Sequence, residues 1–158
     1  MKKILVLALC LVGLVVTDAN AQIASKAKQN EMFVEVSHHS SNMFPTYNVI
    51  YVRGGYYIIR FASTNEFEDK YIVFQLGNGK AEAVNTMKEL VNVMENVTKK
   101  NPAYIEDTAG HELTINKNMG YIMLEQKGIA GTTRALTIKH ISKAIDDIEN
   151  FDESLLSK

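Results

Sequence analysis

Tyr71-Ile72-Val73-Phe74-Gln75-Leu76-Gly77-Asn78-Gly79-Lys80-Ala81-Glu82-Ala83-Val84-Asn85-Thr86-Met87 is the stretch on which the fold turns. Its first six residues are β-branched, aromatic or aliphatic in all but one position, and the run is short, as a strand is. Gly77-Asn78-Gly79 breaks it. From there the apolar residues recur at helical spacing, with Val84, Met87, Val91 and Met94 in line and Leu90 and Val97 beside them. Lys80, Glu82, Lys88, Glu89 and Glu95 fall off that stripe, so the segment reads as an amphipathic helix of about five turns. Lys99-Lys100 suits the negative end of its dipole, and Asn101-Pro102 is the expected stop.

Upstream, residues 32–37, 47–53 and 56–62 carry strand residue types. Gly54-Gly55 supplies the two positions of a tight hairpin where positive φ is needed. Residues 63–69 are polar and read as a loop. Downstream the same order returns: strands at 103–106, 111–116 and 121–125, a loop at 128–133, and a last strand at 134–139. Ile141, Ala144, Ile145, Ile148, Phe151 and Leu155 then form a second helical stripe. A shift of 64 lays Tyr57-Ile58-Ile59 on Tyr121-Ile122-Met123, and a shift of 57 lays Val84, Met87, Val91 and Met94 on Ile141, Ala144, Ile148 and Phe151.

The reading is a single α+β domain, an antiparallel sheet of about seven to eight strands with two amphipathic helices on one face. The order is ββββα-βββ(β)α, with half-units 32–101 and 102–158 as two pseudo-repeats. The alternative for the repeat is that any two amphipathic units align by pattern alone.

Composition fits such a domain. Of 158 residues 46% are hydrophobic and 22% charged, with only 9 Gly and 2 Pro, which excludes a disordered chain and a collagen-like repeat. A formal net charge of −1 excludes a broad nucleic-acid surface built on bulk positive charge.

The N-terminus carries an export pattern. Lys2 and Lys3 precede an apolar run over 4–16, and Ala19 and Ala21 stand where a signal peptidase reads small residues. Residues 1–21 are therefore expected to be a cleaved secretory signal and 22–31 a flexible N-terminal segment, ahead of the domain at 32–158. The ending Ala19-Asn20-Ala21-Gln22 is similar to that of exported proteins of Gram-negative bacteria, which implies the periplasm or the exterior. No transmembrane segment is expected after cleavage. Cys10, the one cysteine, leaves with the signal, so disulfides and thiolate chemistry are not expected in the mature chain.

No spacing points to chemistry. His38-His39 are neighbours and on a strand would face opposite ways, so they do not share a metal, and no cofactor is expected. Gly77-Asn78-Gly79-Lys80 lacks the spacing of a phosphate-binding loop, and Glu82 would occupy the helix N-terminus. The tyrosines are the most suggestive group. Tyr47, Val49 and Tyr51 share one strand face, and with Arg53 and Tyr57 they would form a binding surface if the helices leave that face open. Arg60 flanks them. The alternative is that these tyrosines are plain sheet residues.

The expected function is a small exported non-enzymatic binding module for an unknown protein or small ligand. Two alternatives stay open: an oligomerising envelope-structural protein, hence a homo-oligomer, and an enzyme with a site assembled from distant His and carboxylate residues.

Overall fold

In the computed structural model the described residues are 32–41, 44–64, 71–133 and 135–156. The expected signal at 1–21, the segment 22–31, most of the loop at 63–69 and Arg134 lie outside them. Residues Phe33–Ser157 form one compact unit.

Strands β1 (Phe33–Ser41), β2 (Phe44–Val52), β3 (Tyr56–Ala62) and β4 (Tyr71–Asn78) pair antiparallel in chain order. The β2–β3 hairpin turns through Gly54 at φ 120° and Gly55 at φ 90°, values that side chains rarely tolerate. Helix α1 (Lys80–Asn96) follows. Strands β5 (Ala103–Glu106), β6 (Glu112–Asn118) and β7 (Tyr121–Gln126) make a second antiparallel sheet. Helix α2 (Ile138–Asn150) and a 3₁₀ turn (Glu153–Leu156) complete an α+β fold of order ββββαβββα.

The strand-to-helix break depends on glycine twice. A Cβ on Gly77 would clash with the Glu82 side chain and push it from its place, and the backbone there holds φ 129°, which side chains rarely adopt. Gly79 is the N-cap and has no side chain with which to cap the helix. Glu82 in the first turn compensates, its Oε2 accepting the Asn78 N–H at 2.8 Å. The helix ends one turn before Asn101-Pro102. Val97 turns extended and buries its side chain in the core, and Thr98 and Asn101 then exchange backbone hydrogen bonds.

The strands divide into sheets of four and three, joined by side chains along β4 and by backbone just past the end of β3, where the Thr64 N–H donates to the Thr132 carbonyl at 2.8 Å. The Val73 N–H donates to Oε1 of Gln126 at 2.8 Å and the Gln75 N–H to Oδ2 of Asp107 at 2.5 Å, so the outer edge of β4 meets side chains from the second sheet. Of the expected strand at 134–139 the described residues keep one bridge, Leu136 with Ile122, and Thr133 of the expected loop makes a second, with Ser63. Helical spacing wins there: α2 starts at Ile138, three residues ahead of the expected Ile141, with Thr137 extended as its N-cap. The bridging segment runs antiparallel to β7 as β4 does to β3, so both halves keep the same order.

One core serves all elements. Tyr47, Val49, Tyr57, Ile59, Phe61, Ile72, Phe74 and Leu76 line the inner face of the first sheet. Met87, Leu90 and Met94 of α1, Ile141, Ala144 and Ile148 of α2, and Leu113, Ile115, Ile122 and Leu124 of the second sheet close over them.

Candidate functional site

The structure corrects the expected tyrosine surface. Tyr47, Tyr51 and Tyr57 are 2%, 9% and 0% exposed and lie on the face that the helices cover. The Tyr47 hydroxyl donates to the His140 carbonyl at the start of α2, at 2.5 Å. The Tyr57 hydroxyl donates to Oε1 of Glu153 at 3.0 Å, and burial, then this carboxylate, pushes the phenol pKa far up. Phe151 packs edge-on against both Tyr51 and Tyr57. These rings bind, but what they bind is the chain's own C-terminal segment. Arg53 is exposed in the hairpin turn.

The opposite face of the first sheet is turned away from the helices and is partly open, with Ile50 buried at 5% exposed and most of its neighbours half-buried. Strand period two puts Asn48, Ile50 and Val52, Tyr56, Ile58 and Arg60, and Tyr71, Val73 and Gln75 there. On β1 a bulge between Glu35 and Ser37 shifts the parity, so that Glu35 pairs with Ile50 and His38 with Asn48, both on the open face. Without that extra residue Glu35 and His38, three apart, would face opposite ways.

A chain of polar contacts crosses this face. The Nε–H of Arg60 donates to Oδ1 of Asn48 at 3.2 Å, and Nδ2 of Asn48 donates to Oε2 of Glu35 at 3.1 Å. Oε1 of Glu35 lies 3.1 Å from Nδ1 of His38. The Arg60 guanidinium itself lies between two rings, 5.6 Å from the centre of Phe33 and 5.2 Å from that of Tyr71. Phe33 is 48% exposed and Tyr71 42%. Beside the stack a hollow of about 230 Å³ is lined by Glu35, His38, Ser40, Asn48, Ala62 and Tyr71.

Other groups resolve into structural roles. His39, on the inner face of β1, stacks on His140 at 3.8 Å between ring centres. Burial, then His140 and His38, lower its pKa. The pair is thus brought together across the fold, with the rings stacked at an angle of 29°. Nearby, Ser37 donates to Oδ2 of Asp147 at 2.5 Å, an atom that also accepts from Lys143 at 2.6 Å.

Besides Glu35–His38, the described residues hold a second, more buried His–carboxylate pair, Asp107 and His111, of the kind an assembled enzyme site would need. Nδ1 of His111 lies 2.7 Å from Oδ2 of Asp107, whose side chain is fully buried. Burial would raise that carboxyl's pKa. The N–H groups of Gln75 and His111 and the His111 ring outweigh it and hold the pKa below the usual value. The Ala109 N–H binds the other oxygen at 2.9 Å, so both oxygens are occupied in joining the two sheets and closing the 107–111 turn. A groove of about 260 Å³ alongside is lined by Leu76, Leu90, Val93 and Ile105 with Glu89, Glu106 and Asp107.

The outer face of the second sheet has another character. Tyr104, 76% exposed, stands there with Glu106, Glu112 and Glu125, and Glu106 pairs directly across from Glu112. Lys127 relieves this like-charge pair, with Nζ 2.7 Å from Oε1 of Glu112.

Sequence reasoning had Arg60 beside the surface and missed Phe33, Glu35, Asn48 and Tyr71. The available signal was period two on β3 and β4. Parity on β2 was hidden because Val49 and Tyr51 on one face are no more apolar than Ile50 and Val52 on the other.

Among the described residues no three His, Cys, Asp or Glu side chains group to hold a metal ion, and no helix is long and apolar enough to cross a membrane. In comparisons with known protein families, curated proteins and solved structures, the chain matches none.

Proposed function

We propose that this chain is an exported, non-enzymatic binding module whose ligand surface is the open face of the first sheet. One observation carries the reading: an arginine held between two half-exposed aromatic rings, on a sheet face opposite the helices. Arginine and aromatic side chains are the residue types enriched at the centres of binding surfaces. Partly exposed rings stabilise a folded monomer little, yet they supply large, rigid contact area to a partner. Export rests on the pattern of Lys2, Lys3, the apolar run and Ala19-Asn20-Ala21.

Native mass spectrometry of the chain recovered from its own host tests this, with wild type compared against Phe33→Ala/Tyr71→Ala. A bound mass present on the wild type and absent from a variant of equal thermal stability is the expected result. A mass retained by the double variant places the ligand elsewhere. A bare wild type that forms a symmetric oligomer favours the structural alternative.

A further inference from the structure

We propose, building on the binding-module reading, that the open face holds its ligand by a carboxylate attached to a flat apolar body, gripped by the Arg60 fork between Phe33 and Tyr71. Three features of the site carry this. The guanidinium is fixed by one edge only: its Nε–H is spent on Asn48 at 3.2 Å, and among the described residues no acceptor bonds its Nη atoms. The remaining pair of N–H donors matches a carboxylate in two parallel hydrogen bonds.

Glu35, the nearest carboxylate in the network, is already committed. Its two oxygens face Asn48 Nδ2 and His38 Nδ1, both at 3.1 Å, and this turns the amide oxygen of Asn48 toward Arg60. The internal acid therefore orients the cation, and among the described residues nothing occupies its outer edge, where an external acid would bind. Arg60 is partly buried with two rings within cation–π distance, and partial removal from water strengthens the pairing of a guanidinium with an anion. Their own half-exposed surfaces then offer apolar contact to whatever carries the carboxylate. A free aromatic acid and the C-terminal carboxylate of a peptide share this chemistry.

The test is a titration of the ¹⁵N-labelled chain followed by amide chemical shifts. The probes are N-acetylphenylalanine, its uncharged amide and phenyl phosphate. The acid should shift amides of β1, β3 and β4 saturably and bind at least about tenfold more tightly than the amide. Arg60→Gln should remove that preference, and Arg60→Lys, which keeps the charge and loses the fork, should remove most of it. An unchanged spectrum outside the open face shows that both variants fold.

Equal binding of acid and amide overturns the proposal while leaving a binding face in place. Tighter binding of phenyl phosphate overturns the choice of carboxylate. No saturable shift with any probe overturns the grip altogether, and the wider reading then stands or falls on the ligand recovered from the host. Benzoate against Gly-Gly-Phe separates the two sources, and a preference for either supports the proposal.

Discussion

The two sheets share an order of elements and differ in what they turn outward. The first presents one cation, Arg60, beside the rings of Phe33 and Tyr71, with the neighbouring carboxylate of Glu35 tied to Asn48 and His38. The second presents Glu106, Glu112 and Glu125 around one cation, Lys127, which is already bonded to Glu112. Inward, both sheets are alike: aliphatic and aromatic residues in one continuous core. Burial holds the inner faces to one chemistry, whereas the outer faces are free to diverge. On the proposed reading the difference points to the first sheet as the ligand surface, because a partly buried cation with unused donors is an unfinished interaction, whereas the acidic patch of the second sheet faces water with one of its carboxylates already paired.

The sharpest way to break the inner–outer distinction is to cut adjacent residues on opposite faces. Tyr57→Ala removes a buried ring and should cost about 3–5 kcal/mol in chemical denaturation. Tyr56→Ala, one position away on the open face, should cost about 1 kcal/mol or less. Equal losses would put both rings in the core and erase the open face.

The joint between the sheets comes next. Asp107→Ala leaves the Gln75, Ala109 and His111 N–H groups without their acceptor and should cost about 2–3 kcal/mol. The same joint gives an acid limb. A carboxyl held below its ordinary pKa contributes stability that is present above about pH 4 and is lost as pH falls through the folded value. Asp107→Asn should flatten that limb.

A smaller effect lies at higher pH, on the β1–α2 contact. His39 has a lowered folded pKa, so the unfolded chain binds more protons and stability falls as pH drops below about 6.5. His38, His140, Asp147 and Lys143 are the charged or titratable neighbours of this contact. His39→Asn should remove this upper limb in pH-dependent unfolding and leave the carboxyl limb below it. The smallest expected change is Tyr71→Ala, about 0.5 kcal/mol in stability, paired with loss of the ligand. A large stability loss there would make the Arg60 stack a structural brace.

Much of this was legible before any coordinates. The bounds of β3 at 56–62 and β5 at 103–106 follow from strand residues set between glycine, proline and polar breaks. Both helices follow from apolar spacing, because a 3.6 period repeated over three or more turns has no competing reading. The candidate site was less legible for two physical reasons. β2 and β3 are apolar on both faces, so period two fixes which residues face together but not which way they face. The bulge that brings Glu35 and His38 onto one face leaves no mark in composition. The split into two sheets was also hidden, since it rests on single side chains, Gln126 and Asp107, taking the place of a strand.

That substitution of side chains for a strand has a consequence for how the molecule lives among its own copies. A β-strand with unpaired N–H groups is a template on which another extended chain can grow, and uncapped edges are the usual starting point of sheet-to-sheet aggregation. In β4 the Val73 and Gln75 groups are already quenched from within. The outer side of β1 pairs with no strand among the described residues, but two register breaks, between Glu35 and Ser37 and between His39 and Ser40, interrupt its regularity. One edge is blocked and the other is bent, so neither offers a regular line along which further molecules could add.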